Sequence, residues 1–483
     1  MHNGKRELIE FSTPIQHVIV IYLENRTPED LFGAYWRVIN PTTGNTFGTD
    51  LDLIDPSSLT PPLSPHPLDF FGNPNHDHSP GFMDDATGVW PTGDPNKSGY
   101  WYVPTPNPIT PATPSVSQYI SIIENWAYAN HTLQSNEGPS FEAHQYLISG
   151  QSGGLPDSSI YPQGMANNPR PGGNPPPGNG TCYSTPQNVD TVNMYSPYPT
   201  PSPSIAPACN EYPSIVDFMA SAAPLASPYY QWQYIAFNRK SIWAAPMAIT
   251  HLYNAYSADP NPDKTGQPFA IDPDAENFVL NLGGTTETPN PRRPFALLTY
   301  ITPCMGESDH PNSLAPGTDM GFDDAPQWLS YVLNAVGEST FWDNTAVIVS
   351  WDDWGGFYDN YSPQPWPFHP TPNPYGAPTG NPADPNEWGF RVPLMVLSPY
   401  IASRGTIDPN PMSQGAILNF VETIFSLTPH ALGGDDYTNQ GEDLTEMFNF
   451  NAATPLPWIT LSSTFTPQHG DCPTATPSPT PPP

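Results

Sequence analysis

The sequence predicts an α/β fold: a mostly parallel central sheet with helices on both faces and long Pro/Gly-rich loop insertions. Three observations predict it. Five short runs rich in β-branched and apolar residues have the length of buried strands. Segments with helical spacing separate them, which favours parallel pairing through crossovers. The remaining stretches draw on 69 Pro and 36 Gly, which punctuate loops rather than continue elements.

The strand candidates are "HVIVIYL" (17–23), "YYQWQYIA" (229–236), "FALLTYI" (295–301), "AVIVSW" (346–351) and "VPLMVLS" (392–398). Helical spacing marks "QYISIIENWAYA" (118–129), "FEAHQYLIS" (141–149), "APQWLSYVLNAV" (325–336) and "GAILNFVETIFSL" (415–427). We expect one domain over 1–455, with insertions at about 41–115 and 155–212 lying beside a site. Residues 456–483 form an extension ending in a Pro/Thr/Ser-rich, polyproline-like tail.

A net charge of −33 makes nucleic acid an unexpected partner and opposes docking on anionic lipid. No apolar run reaches membrane-spanning length, and "MHNGKRELIEFSTPI" shows no signal-peptide core. The four cysteines lack paired metal-ligand spacing. Cys182 and Cys209 flank one Pro-rich loop and are expected to form a disulfide, which favours a secreted, periplasmic or extracellular setting.

In open parallel sheets, ligand chemistry collects at the carboxyl ends of strands. There the first strand delivers Glu24 and Asn25, and "VIVSWDDWGGFYDN" delivers Asp352 and Asp353. The third strand runs into "CMGESDHPNS", with Asp309 and His310. An Asp pair beside two glycines reads equally as a solvated turn. Two strand ends carrying paired oxygen donors favour a hard cation instead. Two serines are nucleophile candidates. Ser152 in "GQSGG" fits G-x-S-x-G, but the pattern needs a preceding strand and a helix precedes it here. Ser140 stands directly before a helix, where a serine serves as N-cap or meets a phosphate.

Six segments, in order from about residue 14 to 450, resemble the phosphoesterase family of bacterial phospholipases C and acid phosphatases, within the alkaline-phosphatase-like superfamily. They are "HVIVIYLENRTPEDLFG", "SNEGPSFEAHQYLISG", "SIWAAPMAITHLY", "SDHPNS", "NTAVIVSWDDWGGFYD" and "GFRVPLMVLSPYI". The resemblance implies a metal-dependent phosphoester hydrolase working through a phosphoserine, with a phospholipid among the substrates considered. It implies one divalent ion (Ca²⁺, Mg²⁺ or Zn²⁺) on Glu24, Asn25, Ser140, Asp352 and Asp353. Ser140 would be the nucleophile, with His310 and, less securely, His251 as catalytic histidines. His76, His78 and Asp309 are substrate-binding candidates. Two departures concern substrate choice: after Arg26, Pro28, Glu29 and Asp30 stand where relatives commonly read "FDH" in "ENRSFDHYFG", and Asn360 stands where relatives often have His. A sulfatase is disfavoured because no cysteine lies in C-x-P-x-R. The remaining rivals are a non-catalytic binding protein that retains the fold and a Ser152 esterase.

Overall fold

Seven consecutive buried residues form β1 (His17–Leu23). Because strand side chains alternate faces, burial at every position means that the sheet is covered on both sides. The computed structural model describes residues 11–465 except 61, 69–73, 75, 77–98, 106–115, 137, 153–162, 166–181, 183–187, 194–201, 208, 223–230, 238, 240, 258–268, 272–295, 312–324, 362–387, 433 and 439–441. His78, Cys472 and the end of the Pro-rich tail lie outside the described residues.

β1 sits inside an eight-stranded sheet. The other strands are β2 (Ala127–Leu133), β3 (Trp232–Ala236), β4 (Phe269–Ile271), β5 (Leu298–Thr302), β6 (Thr345–Trp351), β7 (Leu394–Leu397) and β8 (Thr406–Ser413). Their order is β8-β2-β7-β6-β1-β5-β3-β4. β7 pairs antiparallel with both β6 and β2, and the other pairings in this sheet are parallel. The flanking helices include α1 (Pro28–Phe32), α2 (Ser117–Asn125), α3 (Ser140–Ser149), α4 (Ile215–Ala222), α5 (Thr250–Tyr256), α6 (Ala325–Gly337) and α7 (Gly415–Phe425). In α6 the stripe Trp328, Leu329, Val332, Leu333 and Val336 joins the core that β1 and β6 fill, as helical spacing requires.

The expected helix 118–129 is corrected. Trp126, with φ −129° and ψ −148°, ends α2, and the following "AYANHTL" is the buried strand β2. The apolar spacing of α2 ran on into β2 and hid the change of period. β8 was also missed, because Pro409 and Pro411 argue against a strand; it lies at the sheet edge, where proline is tolerated.

Cys182 and Cys209 are bridged, with Cα atoms 4.8 Å apart and a sequence separation of 27. Closing a loop of that size removes unfolded-state entropy worth about 3 kcal/mol. Replacing both cysteines by alanine should therefore lower the midpoint of denaturant unfolding without changing the cooperativity. Peptide mapping without reduction should recover the linked pair.

His17 opens β1, packs edge-on against Phe341 and donates from Nδ1 to Ala296 O at 2.9 Å. Desolvation pushes its pKa down to about 4, and the Ala296 bond only partly opposes this. The unfolded chain takes up the His17 proton near pH 6.5, whereas the folded chain refuses it until about pH 4. Stability is thus lost as pH falls through that window. His17→Asn keeps an amide donor and should flatten this loss by on the order of 2 kcal/mol. Urea unfolding at stepped pH measures it, and parallel curves for the two proteins would refute it.

Candidate active site

Strand register builds the site. Leu23 pairs with Trp351, so Glu24 and Asn25 leave β1 alongside Asp352 and Asp353 leaving β6. The backbone ladder continues beyond the strands: Asp352 N donates to Leu23 O at 2.9 Å and Arg26 N to Asp353 O at 3.1 Å. Glu24 N donates to Ser308 O at 2.6 Å, which brings in the loop after β5. Asn25 (φ 60°) and Asp309 (φ 70°) both take the left-handed conformation, which Asn and Asp tolerate better than most residues. Gly355 (φ +64°) permits the closest approach, since a Cβ there would stand 2.4 Å from Asn25 O. Its N–H donates to Asp353 Oδ1 at 2.7 Å. The glycine after the Asp pair therefore makes room for the Asn25 backbone.

Ser140 is the first residue of α3, whose N-cap is Pro139. The Ser140 hydroxyl faces Glu24 Oε2 at 3.1 Å, Asp353 Oδ2 at 3.3 Å and Asn25 Oδ1 at 3.4 Å. One turn on, on the same helix face, stands His144, which the sequence reading missed. Its Nε2 lies 2.7 Å from Glu24 Oε1 and 3.6 Å from Asp352 Oδ2. Burial lowers the His144 pKa to about 4, with Asp352 opposing, so the ring is neutral at physiological pH. The i, i+4 spacing of Ser140 and His144 was the available signal.

Glu24, Asn25, Asp352 and Asp353 are fully buried and Ser140 is 2 % exposed. Burial and then the Asp352 charge push Glu24 and Asp353 well above the ordinary carboxylate range. Asp352 Oδ2 is buried without a hydrogen-bond donor. Ligand atoms of Glu24, His144 and Asp352 lie within 4.8 Å of one another. The Asn25 amide carries a further constraint. His310 Nδ1 contacts Pro311 O at 2.9 Å and His76 Nδ1 contacts Pro74 O at 2.8 Å. A carbonyl only accepts, so both Nδ1 atoms carry protons, and the neutral His310 ring offers Nε2 as an acceptor. The Nε2 atoms of His310 and His76 lie 3.2 Å and 3.5 Å from Asn25 Nδ2. Asn25 Oδ1 is thereby turned onto Asp352 Oδ1 at 3.2 Å and the Asp353 oxygens at 3.1 and 3.2 Å. A reversed amide would suit bare carboxylates but would set its oxygen against the His310 Nε2 lone pair. Oxygens facing oxygens at this range are compatible with a divalent cation among them.

Residues 296–428 match the Phosphoesterase family. The matched residues include Asp309, His310, Asp352 and Asp353; folding adds Glu24, Asn25, Ser140 and His144 from outside them. Phospholipase C A of Mycobacterium tuberculosis is 32% identical over 117 residues, 23% of this chain and 21% of that protein. Non-specific phospholipase C1 of Arabidopsis thaliana is 33% identical over 119 residues, 22% of this chain and 21% of that protein. The matches span about a fifth of each relative's length. Among solved structures, an alkaline phosphatase superfamily protein from Vibrio parahaemolyticus is 10% identical with a TM-score of 0.34, covering 89% of this chain and 72% of that one. The lipoteichoic acid synthase LtaP from Listeria monocytogenes is 11% identical with a TM-score of 0.36, covering 88% and 76%.

His310 and His76 adjoin the Ser140 group and His251 does not. His251 Nδ1 lies 2.6 Å from Glu211 Oε1 and Nε2 lies 2.9 Å from Asp217 Oδ1, so both ring nitrogens are engaged beside a surface pocket. Asp309 tethers its loop through Oδ2 and its backbone, while its Oδ1 is buried without a partner. Its Oδ2 accepts from Tyr119 OH at 2.8 Å and Trp351 Nε1 at 2.9 Å, and its carbonyl accepts from Arg26 Nε at 2.9 Å. Ser152 is buried just beyond α3, with no strand before it, which removes the esterase elbow.

The two departures from the family pattern hold loops in place. Asp30 pairs with Arg26 at 2.9 Å, and Glu29 Oε1 accepts from Ile54 N at 2.9 Å. Asn360 Oδ1 accepts from Arg391 Nη2 at 2.7 Å, beside the buried Arg391–Asp359 pair. Of the aromatic-rich runs 99–104 and 125–131, the second includes most of β2 and the buried Trp126. The other run, 99–104, packs Trp101 against Phe357 in the loop after Asp353.

Proposed function

We propose that the protein hydrolyses phosphate esters, with Ser140 as nucleophile and Glu24, Asn25, Asp352 and Asp353 as ligands of one divalent ion. The observation that carries this reading is the Ser140 hydroxyl facing three oxygen donors at the N-terminus of a ten-residue helix. A bound cation would lower the pKa of that hydroxyl and offset negative charge on the phosphoryl oxygens. His144 is a candidate further ligand through Nε2. Ser140 Oγ attacks phosphorus, the leaving alcohol departs, and a phosphoserine forms. Water then cleaves the Oγ–P bond, releasing phosphate or a phosphomonoester. Burial lowers the His310 pKa to about 4, and the nearby His76 adds to that, so the ring is neutral at neutral pH. We assign His310 Nε2 the acceptance of the water proton once the Asn25 amide has released that nitrogen. His76 and His310 also hold the Asn25 amide, which turns its oxygen to the ion.

The names of the matched relatives favour a phospholipase C subtype over a broad acid phosphatase. The proposed metal is Ca²⁺, Mg²⁺ or Zn²⁺, since an oxygen-rich set with one imidazole admits each. No described helix is long and apolar enough to cross a membrane, and the Cys182–Cys209 bridge favours secretion or the periplasm. The test is a matched assay of phosphatidylcholine and an aryl phosphate monoester, after chelation and with each metal restored. Diacylglycerol release exceeding monoester turnover supports the lipase subtype. Monoester turnover alone discards that subtype, and silence on both returns the fold to a binding role.

A further inference from the structure

Three carboxylates meet at the far edge of the sheet from β4, on β8 and the segment that follows α7. β8 is the edge strand, and its register against β2 shifts between Asp408 and Pro411. Counting β8-β2-β7-β6-β1, four strand spacings separate it from the strand that carries Glu24, about 19 Å. The cluster is therefore distinct from the Ser140 group.

Asp408 is 5 % exposed. Its Oδ1 accepts from Asn410 N at 3.0 Å, while Oδ2 is buried without a partner. Glu442 Oε2 is likewise buried without a partner. Ligand oxygens of Asp408, Glu442 and Glu446 lie within 4.8 Å of one another. The charges acting on Glu442 are Glu446, Asp408 and Asp443, all acidic; after desolvation they help raise its pKa to about 7. Asp443 is already engaged, by Thr423 Oγ1 at 2.8 Å and Thr445 N at 3.1 Å. A second buried cluster shows what a satisfied group looks like. There Glu422 accepts from His430 N and Ala431 N, and Asp436 from Leu432 N and Gly434 N. At Asp408 and Glu442 two buried oxygens have no such donor.

We propose that Asp408, Glu442 and Glu446 form a second cation site, for calcium, that fastens residues 442–448 to the sheet edge. Calcium suits it because the donors are all carboxylate oxygens, the site is irregular, and water can complete six to eight ligands. Residues 442–448 already touch the sheet's periphery, through Ala402 N donating to Met447 O at 2.7 Å and a bridge between Ile401 and Phe448. The ion would add a charged link where carboxylates now repel.

The test uses the full chain stripped of metal. Calorimetric calcium titration and thermal midpoints with and without calcium are compared for wild type, Asp408→Asn and Glu442→Gln. Asp353→Asn serves as the control for calcium bound at the Ser140 group. The expected result is one calcium equivalent that Asp353→Asn retains and that both other variants weaken at least about tenfold. Both should also lose the calcium-induced rise in Tm and keep wild-type phosphoester turnover. Without calcium their midpoints should stay level or rise, because a repelling charge has gone. Wild-type stoichiometry and Tm rise in both variants would overturn the proposal. So would a wild type with no calcium equivalent beyond the one that Asp353→Asn removes. Should Asp408→Asn fail to fold, Glu442→Gln, at a half-buried position, decides alone.

Discussion

Ser140→Ala is expected to lower phosphoester turnover by at least about 10³-fold, the scale seen when a nucleophile is removed from a working constellation. The fold should survive. The N-cap of α3 is Pro139, and the Ser140 hydroxyl donates to Glu24 and Asp353, so removing it leaves the helix start in place. What disappears is a donor to Glu24 and Asp353, worth about 1 kcal/mol against the charge repulsion already present. Turnover and thermal midpoint are measured on the same preparation. Activity within tenfold of wild type would remove Ser140 from the role. Ser152→Ala serves as the control and should be nearly silent, because Ser152 lies beyond α3 and outside the converging oxygens.

Asp352→Asn and Asp353→Asn should each release metal and activity together. Each replaces a negative oxygen donor by an amide, which a divalent cation binds less strongly. The two should differ in their side effects. Asp352 Oδ1 accepts from Asn25 N at 2.9 Å, so its loss also loosens the left-handed turn at Asn25. Asp353 Oδ1 accepts from Gly355 N at 2.7 Å, so its loss loosens the loop beyond. Elemental analysis after dialysis against a weak chelator reads the retained metal. His144→Ala should fall between these variants and wild type if its Nε2 is a ligand. A wild type that is metal-free yet fully active would refute the account for all three residues.

The paired donors were legible because they sit where chain chemistry and topology agree. A continuous apolar run must end before a carboxylate, and the ends of β1 and β6 are neighbours in a parallel sheet. Ser140 was legible as a serine before a helix, but its use was not. Only the fold shows that Pro139 holds the cap position and that the Ser140 hydroxyl faces Glu24. His144 was hidden because a histidine inside a helix reads as packing until its partner across the sheet is known. His251 illustrates the converse. It lies in a segment resembling the family, yet the nearest carboxylates, Glu211 and Asp217, claim both its nitrogens. β2 was lost to continuity of apolar spacing, and β8 to its prolines. The local signal at each was overridden by pairing that no single segment contains.

The most direct measurement is a search for phosphate on Ser140. The protein is mixed with a phosphate monoester and the metal that supports turnover, then quenched in acid and digested. Mass spectrometry is then used to locate the modification. The account predicts phosphate on the peptide carrying Ser140, at Ser140 itself, and none in Ser140→Ala. Rapid turnover with Ser140 unmodified at every quench time, or phosphate on another residue in an active Ser140→Ala, would contradict it.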